Sequence, residues 1–572
     1  MGEMTAANAS SQAMLIAAAG QSQYCIVVSA AASGCERHAA EELQEFLRQI
    51  SGARLVVVTD ETPLAEKEII LGDSAHLQAL GADIDLQSLG NEGFVIKTVG
   101  SRLVIAGGKP RGTMYGVYTF LEEYLGCRWF SSKVSRIPKQ EKIEIGAIDE
   151  RQVPALEYRE PYYSDALDAD WAARNKMNSS FAHLDEARGG KVVYSHFVHT
   201  FYQLVPPEKY FAEHPEYFSL IDGKRTTEKS QLCLTNPEVV RIATEQVREW
   251  IKQNPAANIF SVSQNDTSGG WCECDRCREL DEKEGSHSAT MLQFVNQIAA
   301  AIEKEYPDKA IDTLAYQYSR NAPKTIRPRA NVIVRFCSIE CCFSHPLQSC
   351  QENRSFSDDI EAWSRASDRL YVWDYVTNFA HYVMPFPNLD VLQPNIKFFV
   401  QHGVKGIFEE GNYAPGGGGE MAELRAYLLA KLLWNPDCDV AKARLEFLEA
   451  YYGPAAAPIG EYLDLLHNKV QRENIHLRIY DPPTSAYLSP DLIQRADALF
   501  DQAESLVTDA EVLLRVKVAR LPIQYVKVAT LSPDAPGRQH MIGDFFAFVR
   551  QAGITQIREG RSLERSLALL QG

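Results

Sequence analysis

Between Pro154 and Pro415 strand-like runs alternate with helical ones, and nothing else in this 572-residue chain restricts its fold as much. The strand candidates are ALEYREP, SSFAHL, SHFVHTFYQL, SQLCLTN, NIFSVSQND, IDTLAYQYS, NVIVRFCSIE, RLYVWDYVTN and VKGIFEEG. Between them lie runs with apolar residues at helical spacing, such as PEVVRIATEQVREWIKQNP and SATMLQFVNQIAAAIEKEYP. Strand, helix, strand over some 260 residues is the signature of a (β/α)8, TIM-like barrel. Nine candidates stand for eight places, so one of them is an insertion or no strand.

Two other regions flank this one. Residues 24–149 mix strands (YCIVVSA, EIILGD, GFVIKTVG, RLVIAGG) with a helix, RHAAEELQEFLRQISG, that ends on glycine. They predict a smaller N-terminal α/β domain. From Gly416 to Gly572 every patterned run is helical, which predicts a C-terminal helical domain after a barrel at 150–415. Residues 1–23 read as a flexible N-terminus. Their apolar piece is short and follows no basic stretch, unlike a signal peptide.

The net charge of −17 excludes a general nucleic-acid binder, which needs clustered Lys and Arg. No apolar run reaches the roughly 20 residues of a membrane span. Neutral partners such as sugars are compatible with this composition.

Barrel active sites lie at the C-terminal ends of the strands. That rule selects His199 and Tyr202, Asn265 and Asp266, Tyr316 and Tyr318, Glu340, Trp373, Asp374 and Asn378, and Glu409 and Glu410. Carboxylates, amides and aromatics in this arrangement suit a sugar: rings stack on pyranose faces, polar groups take hydroxyls, and two carboxyls divide acid and base work. Alternation along a strand sends one of Glu409 and Glu410 inward and the other outward. Cys272, Cys274 and Cys277 form C-x-C-x-x-C, with knuckle spacing for a structural zinc. A fourth ligand must come from Cys233, His287, Cys337, Cys341, Cys342 or Cys350, and disulfides or free thiols are the alternatives.

Several runs together resemble a known family. GTMYGVYTFLEEYLGCRWF is similar to the end of the N-terminal domain of family 20 hexosaminidases and family 67 α-glucuronidases. WAARNKMNSS, HPEYFSLIDGKR, LCLTNPEV, SVSQNDTSGGWCECDRC and YLLAKLLWNPDCD resemble the domain of unknown function 4838, which includes the family 163 endo-β-N-acetylglucosaminidases. The resemblance implies a retaining hydrolase of GlcNAc-containing glycans or glycoproteins, needing no cofactor for catalysis, and periplasmic or secreted. In a substrate-assisted form, the 2-acetamido oxygen attacks the anomeric carbon. Asp266 is then the polariser or acid, Asn265 an acetamide or hydroxyl contact, and Glu340 or Glu409 the complementary acid/base. Family 20 enzymes carry Asp-Glu where this chain has Asn-Asp. Two other readings compete. One is a hydrolase of uronic acids, for which Arg159 and Arg320 supply cations. The other is a non-catalytic glycan-binding barrel.

Overall fold

The computed structural model describes residues 13–571, and the chain divides into two compact units. The first comprises residues up to 154 together with 166–178 and 182–191. Its six-stranded sheet is built from β2 (Cys25–Val28), β3 (Val56–Thr59), β4 (Glu68–Leu71), β5 (Phe94–Val99), β6 (Arg102–Gly107) and β8 (Asp149–Gln152), in the order β8-β5-β6-β4-β2-β3. Helix α1 (Gly34–Ser51) begins on a capping box, in which Ser33 and Glu36 satisfy each other's backbone N–H, and ends on left-handed Gly52. Ahead of this sheet, β1 (Met14–Ala18) pairs antiparallel with β7 (Lys142–Ile145). Residues 14–18 are therefore ordered strand where a flexible terminus was expected. Residues 1–12 of that expectation lie outside the described ones.

The second unit holds a parallel sheet of β9 (Tyr158–Tyr162), β10 (Ile259–Ser261), β11 (Ala310–Ala315), β12 (Val332–Cys337), β13 (Leu370–Tyr375) and β14 (Val404–Glu410), in the order β9-β14-β13-β12-β11-β10. The sheet is curled. Tyr158 of β9 lies with its ring centroid 5.7 Å from that of Tyr194, which bridges to β10 at the other end of the ladder. Tyr158, Tyr194, Ile259, Ala310, Ile333, Tyr371 and Phe408 form one buried cluster, each contributed by a different segment around the curl.

Full eight-strand pairing is not what closes it. SSFAHL and SHFVHTFYQL form no strand; beside the Tyr194–Ile259 bridge the second meets β10 through the Ser195 N–H on the Ile259 carbonyl at 3.0 Å and the Ser261 N–H on the His196 carbonyl at 3.1 Å. Side chains span the gap instead. Ser179 donates to the Arg159 carbonyl at 3.0 Å, the Tyr194 N–H donates to Ser180 Oγ at 3.2 Å, and the Phe181 N–H donates to Glu160 Oε2 at 3.2 Å. SQLCLTN is the surplus candidate; it forms a single bridge, Leu232 to Phe218, and carries Cys233.

Helices clothe the outside: α3 (Pro237–Gln253) against β10, α5 (Ser288–Glu303) against β11 and β12, α7 (Leu389–Gln401) against β14, and α8 (Ala422–Trp434) against β9. α8 is buried on nearly every side, which explains why its sequence is apolar all round. Beyond it the chain is helical to its end, and no described helix is long and apolar enough to cross a membrane.

Inside the curl, Arg335 of β12 and Asp312 of β11 form a buried bidentate pair, with Nη2–Oδ1 at 2.6 Å and Nε–Oδ2 at 3.2 Å. Removing one partner leaves the other as an uncompensated buried charge. Asp312→Ala should therefore lower the stability of this unit by roughly 3–5 kcal/mol. The double change Asp312→Leu/Arg335→Met should lose much less. Urea unfolding followed by circular dichroism checks both.

Candidate active site

Strand alternation decides which carboxylates face which way. Trp373 packs in the inner cluster with Phe408, and its indole N–H donates to Glu410 Oε2 at 2.8 Å, so Glu410 faces inward. Asp374 and Glu409, register neighbours on β13 and β14, face out toward the helices. Glu409 is thus not the inward carboxylate that the sequence reading favoured. It is fully buried, and its Oε2 has no hydrogen-bond partner among the described residues. Burial, with Asp374 next to it, pushes its pKa well up. Asp374 is raised to about 6 by burial, against the opposing bonds from Ser338 Oγ and the Tyr375 N–H. These two form a buried acid pair rather than a site.

Glu410 is set differently. It is 9% exposed, and burial pushes its carboxyl up to about 8. The negative charges of Glu559 and Asp266 add to that rise, and the Trp373 N–H opposes it. Glu559 comes from the loop between α13 (Arg538–Gln551) and α14 (Leu563–Gln571). Its N–H donates to the Phe379 carbonyl at 3.0 Å, which fixes it beside the loop after β13. Burial and Asp266 raise its pKa as well. No pattern in the sequence marks Glu559, because a charged residue in a loop between helices reads as solvated surface.

Asp266 is 68% exposed at the end of the β10 segment. A chain of donors orients it. Gln317 Nε2 donates to Tyr316 Oη at 2.7 Å, and Tyr316 Oη donates to Asp266 Oδ1 at 3.2 Å. His199 Nδ1 bonds the Gln264 carbonyl at 2.7 Å, leaving Nε2 3.8 Å from Asp266 Oδ1. His199 and Gln317 both adopt positive φ, +55° and +50°. Side chains larger than glycine rarely adopt this conformation, and it concentrates where a backbone is held for function. The Ser263 hydroxyl accepts the His199 N–H at 2.9 Å and holds that turn.

Aromatic rings surround these acids. Tyr162 stacks on Tyr413 at 4.6 Å, and Trp373 lies along Tyr375 at 6.2 Å. Tyr480 is 58% exposed, and the charges of Glu559, Glu410 and Asp266 all bear on its hydroxyl. Sequence analysis missed Tyr480 because it lies in the helical region.

The structure thus brings together Asp266, Glu410, His199, Tyr316 and Trp373. It places the other candidates elsewhere. Glu340 is 44% exposed and pairs with Arg320 at 2.9 Å. Arg159 is on the outward face of β9, fully buried beneath the Trp434 ring of α8. Asn265 spends its amide N–H on the Ser230 carbonyl at 2.8 Å, and Asn378 donates to the Asp481 carbonyl at 2.9 Å. The Tyr202 hydroxyl bonds Ser230 and the Thr227 carbonyl. Tyr318 lines a separate cavity of about 540 Å³ with Trp271, His287 and Asp281.

The cysteine loop gathers a full donor set. Cys233, Cys272, Cys274 and Cys277 place their sulfurs within 4.8 Å of one another. No disulfide joins any described cysteine, and Cys233 and Cys274 are 3.7 Å apart, far beyond an S–S bond of about 2.05 Å. Arg225 Nη1 and the Leu220 N–H both point at Cys272 Sγ, at 3.5 and 3.4 Å.

Residues 129–464 match the model of a domain of unknown function, DUF4838, and residues 16–120 match the glycosyl hydrolase family 67 N-terminus. The chain belongs to the DUF4838 family. No curated protein matches its sequence. Among solved structures it is similar to BtGH115A, a family GH115 4-O-methyl-α-glucuronidase with specificity for decorated arabinogalactans. That match has a TM-score of 0.59 at 14% identity, covering 98% of this chain and 78% of that one. It also resembles CpGH84D, at TM-score 0.49 and 11% identity over 98% of this chain and 96% of the other. A Streptomyces plicatus β-hexosaminidase bound to GlcNAc gives TM-score 0.41 at 10% identity, over 77% of this chain and 91% of that one. The mixed α/β fold with its curled parallel half-barrel is thus similar to the fold of BtGH115A.

If Glu559 acts on Glu410 through charge, Glu559→Gln should lower the Glu410 pKa from its value near 8. The fluorescence of Trp373, hydrogen-bonded to Glu410, reports this titration, with Trp373→Phe as the blank. The titration midpoint should move to lower pH in the variant.

Proposed function

We propose that this protein is a glycoside hydrolase acting on neutral, GlcNAc-containing glycans, in which Glu410 is the proton donor and Asp266 the second carboxylate. The observation that carries this reading is the contrast between the two acids. Glu410 is buried against Trp373 with a pKa near 8, so it holds its proton at neutral pH. Asp266 is exposed and fixed by the Gln317–Tyr316 chain. Two carboxyls in different environments are how glycosidases divide protonation of the leaving oxygen from stabilisation at the anomeric carbon. In a substrate-assisted version Asp266 would polarise the acetamide N–H, and His199 would position Asp266.

Cleavage of β-linked GlcNAc within N-glycans rests on the resemblance to family 163, and the geometry is compatible with it. Three acids and a set of tyrosines face the site. The two cations that a uronic acid reading relied on are committed elsewhere, Arg159 beneath α8 and Arg320 to Glu340 and Asp359. A substrate carboxylate would meet Asp266 and Glu559 with like charge.

The same reading gives Cys233, Cys272, Cys274 and Cys277 a structural zinc. Its four-thiolate charge would be offset by the Arg225 guanidinium and the Leu220 N–H, and it would pin the loop that follows Asp266.

Product analysis by mass spectrometry on complex N-glycoprotein tests the activity. The wild type should release glycan and leave one GlcNAc on the protein. Glu410→Gln should lower kcat/KM at least about 100-fold, in the range general acid catalysis contributes. Glu409→Gln, on the opposite face of the same strand, should stay within a few-fold of wild type. Because the donor must be protonated, wild-type kcat/KM should fall as pH rises through about 8. Elemental analysis of Cys272→Ser/Cys277→Ser should show one zinc fewer per chain than the wild type, with a lowered melting temperature.

A further inference from the structure

A second cluster of soft donors lies away from the cysteine loop and plays no part in the proposed chemistry. Cys342, His345 and Cys350 sit on the loop that follows β12, spaced C-x-x-H-x4-C. His476 comes from the segment after α10 (Ala456–Arg472), more than a hundred residues later. Their ligand atoms all lie within 4.8 Å of one another. Cys342 Sγ is 3.4 Å from His345 Nδ1 and 3.2 Å from His476 Nδ1, and Cys350 Sγ is 3.7 Å from His476 Nδ1.

We infer that Cys342, His345, Cys350 and His476 form a second structural zinc site, which clips the loop after β12 to the segment carrying Tyr480.

Three observations support it. The first is spacing. Zinc bonds of about 2.3 Å to sulfur and about 2.0 Å to nitrogen set tetrahedral S···N edges of roughly 3.5 Å. The three S···N separations scatter around that value. The second is charge. Two thiols lose their protons to solvent when zinc binds, and the ion with two thiolates and two neutral imidazoles is uncharged. Such a group can be buried without a counter-ion, and both cysteines are buried. The third is the surroundings of the ligands. The far nitrogen of His476, Nε2, is 3.6 Å from Glu352 Oε1, and Glu352 is paired in turn with Arg478. A carboxylate behind a ligating histidine fixes the ring and its tautomer. Asn353 clasps the Cys342 backbone on both sides, accepting its N–H at 2.7 Å and donating to its carbonyl at 2.9 Å.

The clip has a consequence for the site. Residues 475–481 are laid between two loops. The Phe343 N–H donates to the Leu477 carbonyl at 3.0 Å, and the Phe379 N–H donates to the Ile479 carbonyl at 2.9 Å. Tyr480 is the exposed ring in this run. Holding His476 to Cys342 and Cys350 holds the base of the segment that presents it.

The test uses the full chain, stripped of metal under reducing conditions and titrated with zinc alone against a chromophoric chelator. In the Cys272→Ser/Cys277→Ser background, one zinc per chain should still bind. X-ray absorption should show two sulfur and two nitrogen ligands. Adding His476→Ala should abolish that zinc. Adding His476→Cys instead should retain it, with three sulfurs and one nitrogen, which separates ligation from a folding defect. No zinc in the double-cysteine background would overturn the inference. So would a retained zinc whose stoichiometry and ligand set ignore both His476 changes. Failure of the first cysteine set to bind metal would leave a wild type with one zinc of mixed ligands, which supports this site independently.

Discussion

The Arg335–Asp312 pair is the interaction on which the second unit's working end depends. Two charges at the centre of a curled sheet are costly to desolvate, and their attraction offsets that cost only with good geometry and further bonds. Both conditions are met. The pair is bidentate, the Tyr194 hydroxyl reaches Asp312 at 3.4 Å, and Arg335 also donates to the Phe197 carbonyl. The guanidinium lies 4.2 Å from the Phe197 ring centroid and 5.2 Å from that of Trp373. Trp373 in turn holds Glu410. A cation in the interior thus supports an indole, and the indole aims a carboxylic acid. An aliphatic layer would fill the same volume without fixing the Trp373 ring in this way.

From that layer upward, one strand pair sorts four acidic or aromatic side chains by face. Trp373 and Glu410 go in; Asp374 and Glu409 go out. All three acids are pushed up by burial, yet only Glu410 opens toward further charges. What distinguishes it is the contribution from elsewhere in the chain: Asp266 from the end of β10 and Glu559 from the far C-terminal loop. The helical region therefore supplies more than packing. It delivers one of the charges that set the protonation of the proposed donor, and it presents Tyr480 beside them.

How much of this was legible in the sequence depends on whether a feature is local. Six of the nine strand candidates are strands, because fully buried parallel strands read as dense apolar runs. The rule that sites gather at strand ends selected Asp266, Tyr316, Trp373 and Glu410, which the structure brings near one another. It could not rank Glu409 against Glu410, since alternation gives two faces without saying which is inner. SSFAHL and SHFVHTFYQL carry strand-like composition, but the sheet closes past them through the side chains of Ser179, Ser180 and Glu160, a device with no periodicity. Asp374 was selected by its place at a strand end and Arg159 as an available cation, but both lie on the outer face of the sheet, where α8 covers Arg159 and Ser338 bonds Asp374. Glu559, Tyr480 and His476 were out of reach, because each is brought in by a connection of long sequence separation.

Those long connections explain where the thiols and imidazoles lie. A loop on the rim of the curled sheet has no ladder to fix it, and ordering each of its residues costs roughly 1–2 kcal/mol of backbone entropy. Asp266 must nevertheless be held by a loop, and so must Tyr480. The chain follows β10 with Cys272, Cys274 and Cys277, which meet Cys233 from a segment already crossed. It follows β12 with Cys342, His345 and Cys350, which meet His476 from a segment still to come. Each cluster joins stretches that the sheet does not join, and each stands next to an exposed side chain of the site. A metal held in each cluster as proposed would constrain a long loop most where backbone pairing is absent, and the curled sheet is closed between β9 and the Tyr194 segment by side chains. Soft-donor clusters on the rim and a buried ion pair in the interior thus answer the same problem at two depths: holding a few polar groups still on a scaffold whose ladder is incomplete.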